Sequence, residues 1–257
     1  MEDPREAIRL TQKVDATEFV QRYLKEYITS DTHDILDIGC GPAVIDAHLG
    51  LQYPEVQITG IDISSVRVEQ AQKNTLGIKN VQIIKADAII LPFVDNSFDL
   101  LFCRFLLEYL PDRLSALKEM HRVCKPGGKV ILQDLDGQLI SMYPEFPQKE
   151  ELKTVLHNLI NGGFDPFVGR KLYFLSTLAN LQVLKVELEP YHLIAGKINE
   201  KDYAAWQLKL DIAMPQIEKA LGDFKKAQLF KEAYLDYLLD QNSLIFSTVF
   251  TVLSTKG

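Results

Sequence analysis

The period of the apolar positions changes again and again along the first half of this chain. Asp34–Ile38, Val56–Ile61, Val81–Ala86, Phe98–Cys103 and Lys129–Gln133 are short, nearly unbroken apolar runs, which predict strands buried on both faces. Between them, residues 43–51, 64–76 and 111–123 place apolar side chains at three- and four-residue steps, the spacing of a helix with one buried stripe. Ser64-Ser65 can cap the second of these helices, and Gly77 stands where a left-handed closing residue belongs. Pro111-Asp112 opens the third, and Lys125-Pro126-Gly127-Gly128 ends it. From Pro4 to about Ile28, Ala7, Leu10, Val14, Phe19, Val20, Tyr23, Leu24 and Tyr27 keep helical spacing. Strands alternating with single helices predict an α/β fold, a mostly parallel sheet with helices on both faces.

The pattern loosens after Asp136. Residues 141–147 read as loop, 149–160 and 168–178 as helix, and 183–189 as strand. Residues 201–239 read as helix interrupted at Pro215 and Gly222, and 244–253 as a last strand. The expectation is one domain over 1–257. Its core covers about 30–140, 166–192 and 241–257, and a helical lid is built from about 1–29, 141–165 and 193–240.

A net charge of -7 argues against a broad basic footprint for nucleic acid or an anionic surface. Cys40, Cys103 and Cys124 lack paired spacing, which predicts reduced thiols and no metal ligation. The charged start, Met1-Glu2-Asp3-Pro4-Arg5, has no apolar stretch after it, and the most apolar segment, 243–253, is too short to span a bilayer. These features predict a cytoplasmic chain with no membrane insertion.

The chemistry gathers where strands end. Ile35-Leu36-Asp37-Ile38-Gly39-Cys40-Gly41-Pro42 runs from a strand through two glycines into a helix, a turn that lets a ligand approach bare backbone. Asp62 closes the second strand, where an acid can take both hydroxyls of a ribose. Asp87 closes the third, where a carboxylate can accept from an adenine amino group. A dinucleotide fingerprint asks for a small third residue after the glycines, and here Val44 stands there. That disfavours a nicotinamide-dependent oxidoreductase.

These segments resemble the class I S-adenosylmethionine-dependent methyltransferases, in particular the ubiquinone/menaquinone-biosynthesis-type (type 11) small-molecule branch. ILDIGCGP (35–42), ITGIDI (58–63), KADAIILPF (85–93) followed by Asn96-Ser97-Phe98-Asp99, LEYLPD (107–112) and LKEMHRVCKPGG (117–128) carry the resemblance, over about residues 34–135. It implies a Rossmann-like seven-stranded sheet whose seventh strand, 244–253, is antiparallel. It implies S-adenosylmethionine as cofactor, with Asp37 and the backbone of Gly39, Cys40 and Gly41 facing the methionine part. Asp62 would hold the ribose and Ile63 would lie against the adenine. Asp87 and the Ala88 amide would read the adenine edge, and Cys103 and Arg104 would lie near the methionine chain. Glu6–Gln12 resembles an N-terminal arm of some such enzymes, which makes Arg9 a partner for the methionine carboxylate. Many relatives carry a histidine where this chain has Tyr109.

Methyl transfer is an in-line displacement that needs alignment of acceptor, methyl and sulfur rather than a covalent residue. Asp136 and Tyr143, just past the fifth strand, are the acceptor-site candidates. Glu108, Asp134, His157, Tyr191, His192 and Trp206 are further titratable or aromatic groups in the acceptor half. The expected partner is a small-molecule acceptor. The competing readings are a catalytically inactive binding or scaffold protein of the same fold and the nicotinamide enzyme.

Overall fold

In the computed structural model, which describes residues 14–257, the alternating pattern becomes a seven-stranded sheet. Its strands are β1 (Asp34–Ile38), β2 (Gln57–Asp62), β3 (Val81–Lys85), β4 (Phe98–Arg104), β5 (Cys124–Tyr143), β6 (Leu181–Ala195) and β7 (Leu244–Lys256). Their order across the sheet is β3-β2-β1-β4-β5-β7-β6. The first five pair in parallel. β7 runs the other way along β5. The Thr255 hydroxyl donates to the Gly128 carbonyl, whereas the Gln133 amide donates to Thr251 Oγ1, so partner numbers fall as β5 advances. The expected antiparallel seventh strand is thus present.

The helices are α1 (Ala16–Phe19), α2 (Val44–Gln52), α3 (Ser65–Asn74), α4 (Arg113–Val123), α5 (Lys149–Asn161), α6 (Leu172–Leu178), α7 (Glu200–Leu221) and α8 (Phe224–Leu239). Caps read from the sequence form. Ser64 Oγ accepts from the Arg67 amide, and Asp112 Oδ1 from the Ser115 amide, each supplying a first-turn N–H with the acceptor that the helix lacks.

Two compact units emerge. Among the described residues the first comprises 14–134, 169–187 and 250–257, the second 135–168 and 188–249. In the first unit the central strands β1, β2, β4 and β5 are buried on both faces. Ile35, Ile58, Leu100, Phe102, Ile131 and Leu253 pack with Phe19, Val20 and Leu24 on one face, and Leu36, Ile38, Ile61, Leu101 and Leu132 are buried with opposite parity. The described part of the N-terminal helix therefore packs in the first unit's core, although its sequence was read as lid. The wide turn Val20–Leu24 and the tight turn Lys25–Tyr27 continue it.

The second unit has its own core, with Phe146, Trp206, Phe230, Tyr234 and Tyr237 among Leu152, Val155, Leu210 and Ile217. Phe146 meets Phe230 and Tyr237 edge to face at 5.8 and 5.7 Å between ring centres, a favoured aromatic geometry.

Two local expectations are corrected. Residues 141–143 continue β5 rather than forming a loop. Pro215 does not interrupt its helix: α7 runs through it, with Leu210 and Ile217 buried on either side. The packing of those two residues outweighs the backbone hydrogen bond that a proline cannot donate. Gly222 (φ +69) does end α7.

Candidate functional site

The register of the sheet brings the sequence-predicted residues of the first unit to one row of strand tips. Ile38 pairs with Ile61 on one side and Cys103 on the other, and Asp62 pairs with Lys85. Gly39, Asp62, Asp87 and Arg104 therefore stand at or just beyond the carboxyl ends of four adjacent strands, the edge at which open α/β sheets bind ligands.

The glycine turn is shaped by backbone demands. The amides of Gly39 and Cys40 both donate to the Ile61 carbonyl, at 2.8 and 2.9 Å, which folds the turn back over the tip of β2. Gly39 has φ +82, and a Cβ there would come within 2.9 Å of Leu106 Cδ2, so only glycine fits. A Cβ at Gly41 would meet nothing within 4 Å, so space is open beside that residue. Ala43 (φ +56) opens α2 without a side-chain cap. Phe105 (φ +54) follows β4 directly. Left-handed conformations at non-glycine residues are strained and recur at binding sites.

Asp62 ties this turn to the second strand. It is 4% exposed; its Oδ2 accepts from the Gly41 amide at 3.1 Å and its Oδ1 from the Ser64 amide at 2.9 Å. Arg67 approaches the same carboxylate at 3.8 Å. Ile63, next along the chain, is 61% exposed. Asp87 is half-buried and its Oδ1 accepts from the Ile89 amide at 3.0 Å; Ala88 is buried beside it.

Arg104 Nε donates to Gln133 Oε1 at 2.9 Å, and its guanidinium lies 5.3 Å from the Phe19 ring centre and 4.2 Å from that of Phe105. The planar group lies against two aromatic rings, the kind of contact that suits arginine rather than lysine. Cys40 and Cys103 are buried, and burial pushes both thiols well above their ordinary range. They stay protonated at neutral pH and are poor nucleophiles.

Asp37 lies beneath the turn, 4% exposed. Burial, and next the neighbouring Asp46 carboxyl, push its carboxyl well above the usual range. Asp46, in the first turn of α2, was missed in the sequence, where an acid at that place reads as an ordinary helix-dipole partner. The structure makes it fully buried.

Asp136 and Tyr143 belong to the second unit: Asp136 is buried, while Tyr143 is 76% exposed. In the same unit the rings of His192 and Trp206 meet at 5.4 Å. In the first unit, Asp134 Oδ2 accepts from the Glu108 amide at 3.2 Å, and Tyr109 is exposed. Arg9 lies outside the described residues.

Residues 36–132 match the family described as a methyltransferase domain. This segment, less than half of the chain, is similar to methyltransferase domains. The resemblance read from the glycine turn and the strand-end acids is borne out, as is the mixed α/β sheet. The matched segment lies wholly within the first unit. The chain is 41% identical over 121 residues to demethylmenaquinone methyltransferase of Staphylococcus epidermidis, a match covering 43% of this chain and 49% of that protein. It is 39% identical over 126 residues to the protein of that name from Staphylococcus aureus, covering 49% and 52%. The chain thus spans about half the length of the curated relatives it matches. A SAM-dependent methyltransferase from Aquifex aeolicus shares the fold at a TM-score of 0.57 and 17% identity, over 99% of each chain.

Proposed function

We propose that this chain is an S-adenosylmethionine-dependent enzyme that methylates a small molecule. The observation that carries the reading is the row of strand tips, with bare glycine backbone at its centre and Asp62 fastened to the Gly41 amide.

The residues fit the cofactor. Each oxygen of Asp62 accepts one backbone donor and keeps a second lone pair, which leaves acceptors for the two hydroxyls of a ribose. Ile63 offers apolar surface to an adenine ring. Asp87 Oδ2 is without a hydrogen bond among the described residues, and with the Ala88 amide it can read the adenine edge. Gly39, Cys40 and Gly41 give the methionine part a close approach to main chain, with Asp37 beneath them and Cys103 and Arg104 alongside.

When bound, S-adenosylmethionine supplies an electrophilic methyl group on a sulfonium. The protein's task is to fix that methyl and the acceptor in line, and orientation alone can supply a large part of the rate enhancement. Protonated, buried Cys40 and Cys103 do not compete for the methyl.

The acceptor is a small molecule. Because the family match ends at residue 132, the acceptor named for the relatives is not carried over. A demethylmenaquinone-type quinol is nevertheless the first compound to assay. Asp136 and Tyr143 are the proposed acceptor residues. Three buried free cysteines suit a reducing cytoplasm. Among the described residues no helix is long and apolar enough to cross a membrane.

Calorimetry with S-adenosylmethionine, S-adenosylhomocysteine and NAD tests the reading. Binding of the first two and not the third is expected, and binding of NAD alone would overturn it. A metabolite screen for S-adenosylhomocysteine release then identifies the acceptor.

A further inference from the structure

The apolar layer on one face of the sheet ends in a polar rung. Phe102 of β4, Ile131 of β5 and Leu253 of β7 are buried with Phe19 on that face. Side chains two residues apart along a strand share a face, so Arg104, Gln133 and Thr251 continue the layer beyond its apolar part. The register sets Arg104 opposite Gln133. Arg104 Nε donates to Gln133 Oε1 at 2.9 Å, and Gln133 Nε2 donates to Thr251 Oγ1 at 2.9 Å. All three residues belong to the first unit.

The rung has a direction. Arginine only donates hydrogen bonds, so it fixes the oxygen end of the Gln133 amide towards itself. The nitrogen end then faces β7, where Thr251 Oγ1 supplies the acceptor that a buried N–H needs. Gln133 and Thr251 are both buried, so bulk water does not compete for these bonds. The amide is held from both ends, and it holds in turn a half-buried guanidinium that also lies against the rings of Phe19 and Phe105. The residue type at 133 matters. A glutamate would accept the same hydrogen bond but would set a buried negative charge beside the guanidinium. The neutral amide orients the arginine without cancelling its charge.

The rung also lies at the right place. Cys103 pairs with Ile38, so Arg104 stands level with Gly39 on the neighbouring strand, about 5 Å away between backbones. Leu106, two residues on, closes against the same glycine: a Cβ there would come within 2.9 Å of Leu106 Cδ2. The guanidinium is therefore anchored beside the turn to which the proposed function assigns the methionine part of the cofactor.

We propose that Gln133, backed by Thr251, is a positioning residue that aims Arg104 at the carboxylate of the cofactor's methionine end. The ligand rests on the proposed function, and the aim rests on the two hydrogen bonds. Arg9, the arginine that the sequence offers for the same carboxylate, lies outside the described residues.

The test uses the full chain and its Gln133→Leu and Gln133→Glu variants. The probes are S-adenosylhomocysteine and methylthioadenosine, which carries the same thioether adenosine without the amino-acid end. In Gln133→Leu, calorimetry should give an affinity for S-adenosylhomocysteine about tenfold weaker, with that for methylthioadenosine changed by about twofold or less. Gln133→Glu should show the same split, because it keeps the bond and cancels the charge; a merely structural glutamine would tolerate so near an isostere. NMR of the isotope-labelled, ligand-free protein follows the Arg104 Nε–H signal, assigned by its absence in Arg104→Lys. That signal should be protected from exchange in the unaltered chain, kept in Gln133→Glu and lost in Gln133→Leu. Equal losses for the two ligands overturn the proposal. So does a Gln133→Leu or Gln133→Glu variant that binds S-adenosylhomocysteine as the unaltered chain does, and so does an Arg104 signal that Gln133→Leu leaves unchanged. If the unaltered chain binds neither ligand, the proposed function falls and the carboxylate with it, and the Arg104 signal still decides whether Gln133 holds the arginine. Gln133→Met replaces the Leu variant if the latter does not fold, and the Glu variant and the signal of the unaltered chain depend on neither.

Discussion

The two units of this molecule are built on different principles. The first places polar groups by main-chain geometry: a turn of positive-φ residues, carboxylates at strand ends, and backbone amides bonded to them. The second is filled by shape, with Trp206, Phe146, Phe230 and Tyr234 interlocked among aliphatic side chains. Geometry of the first kind tolerates few residue types, so it leaves a readable sequence. Shape can be met by many combinations of residues, and packing of that kind leaves little trace. The family match follows this division, beginning and ending inside the first unit. The part assigned to the cofactor is the legible one, and the part expected to choose the acceptor is not.

Substitutions can break or sharpen the contrast. The largest effect is expected at Trp206→Ala, which should cost about 3–5 kcal/mol of stability by leaving a cavity among buried rings. Calorimetric unfolding would show the second unit's transition lowered. Cofactor affinity should stay within about twofold, and a larger fall would mean that the units are not independent. Next is Asp62→Ala. It strips the Gly41 and Ser64 amides of their acceptor, and a cofactor affinity about a hundredfold weaker is expected, equivalent to about 2.7 kcal/mol. Titration calorimetry reads it directly.

Gly60→Ala should destabilise the first unit by about 1–3 kcal/mol, because its Cβ intrudes on Asp46 and Ile83. Denaturant unfolding measures this. Smaller, and opposite in sign at neutral pH, is Asp46→Asn. Burial raises the carboxyls of both Asp37 and Asp46, so in the folded chain this pair of buried acids holds protons that the unfolded chain, with carboxyls near 4, has released. Stability contributed by the pair is therefore lost as pH rises from about 4 through 6 and beyond. The Asn variant should remove most of that slope and gain about 1–2 kcal/mol at pH 8, measured by melting at several pH values. Last, Lys153→Ala breaks an exposed ion pair with Glu150 and should change stability by less than about 0.5 kcal/mol.

How much was legible follows the same line. Asp34–Ile38 forms the strand that its apolar run predicts, and Ser64 and Asp112 cap the helices whose starts they mark. Local pattern could not show that β5 persists to Tyr143, because Ser141 and the prolines after it read as a break. Nor could it show that α7 passes through Pro215, since the buried anchors on either side belong to tertiary packing. The proposed cofactor residues, Arg9 apart, were read from the ends of strands. Asp46 could not be read, because its burial depends on the missing side chain of Gly60, which comes from another element.

The route of the chain has a further consequence for biosynthesis. β7 lies between β5 and β6, and its portion in the first unit is made of residues 250–257. A nascent chain that has already emerged through β6 still lacks the strand that joins β5 to β6, so the first unit cannot close around its sheet until those residues leave the ribosome. The second unit, whose segments end at residue 249, has all of its residues available sooner, although its synthesis begins later.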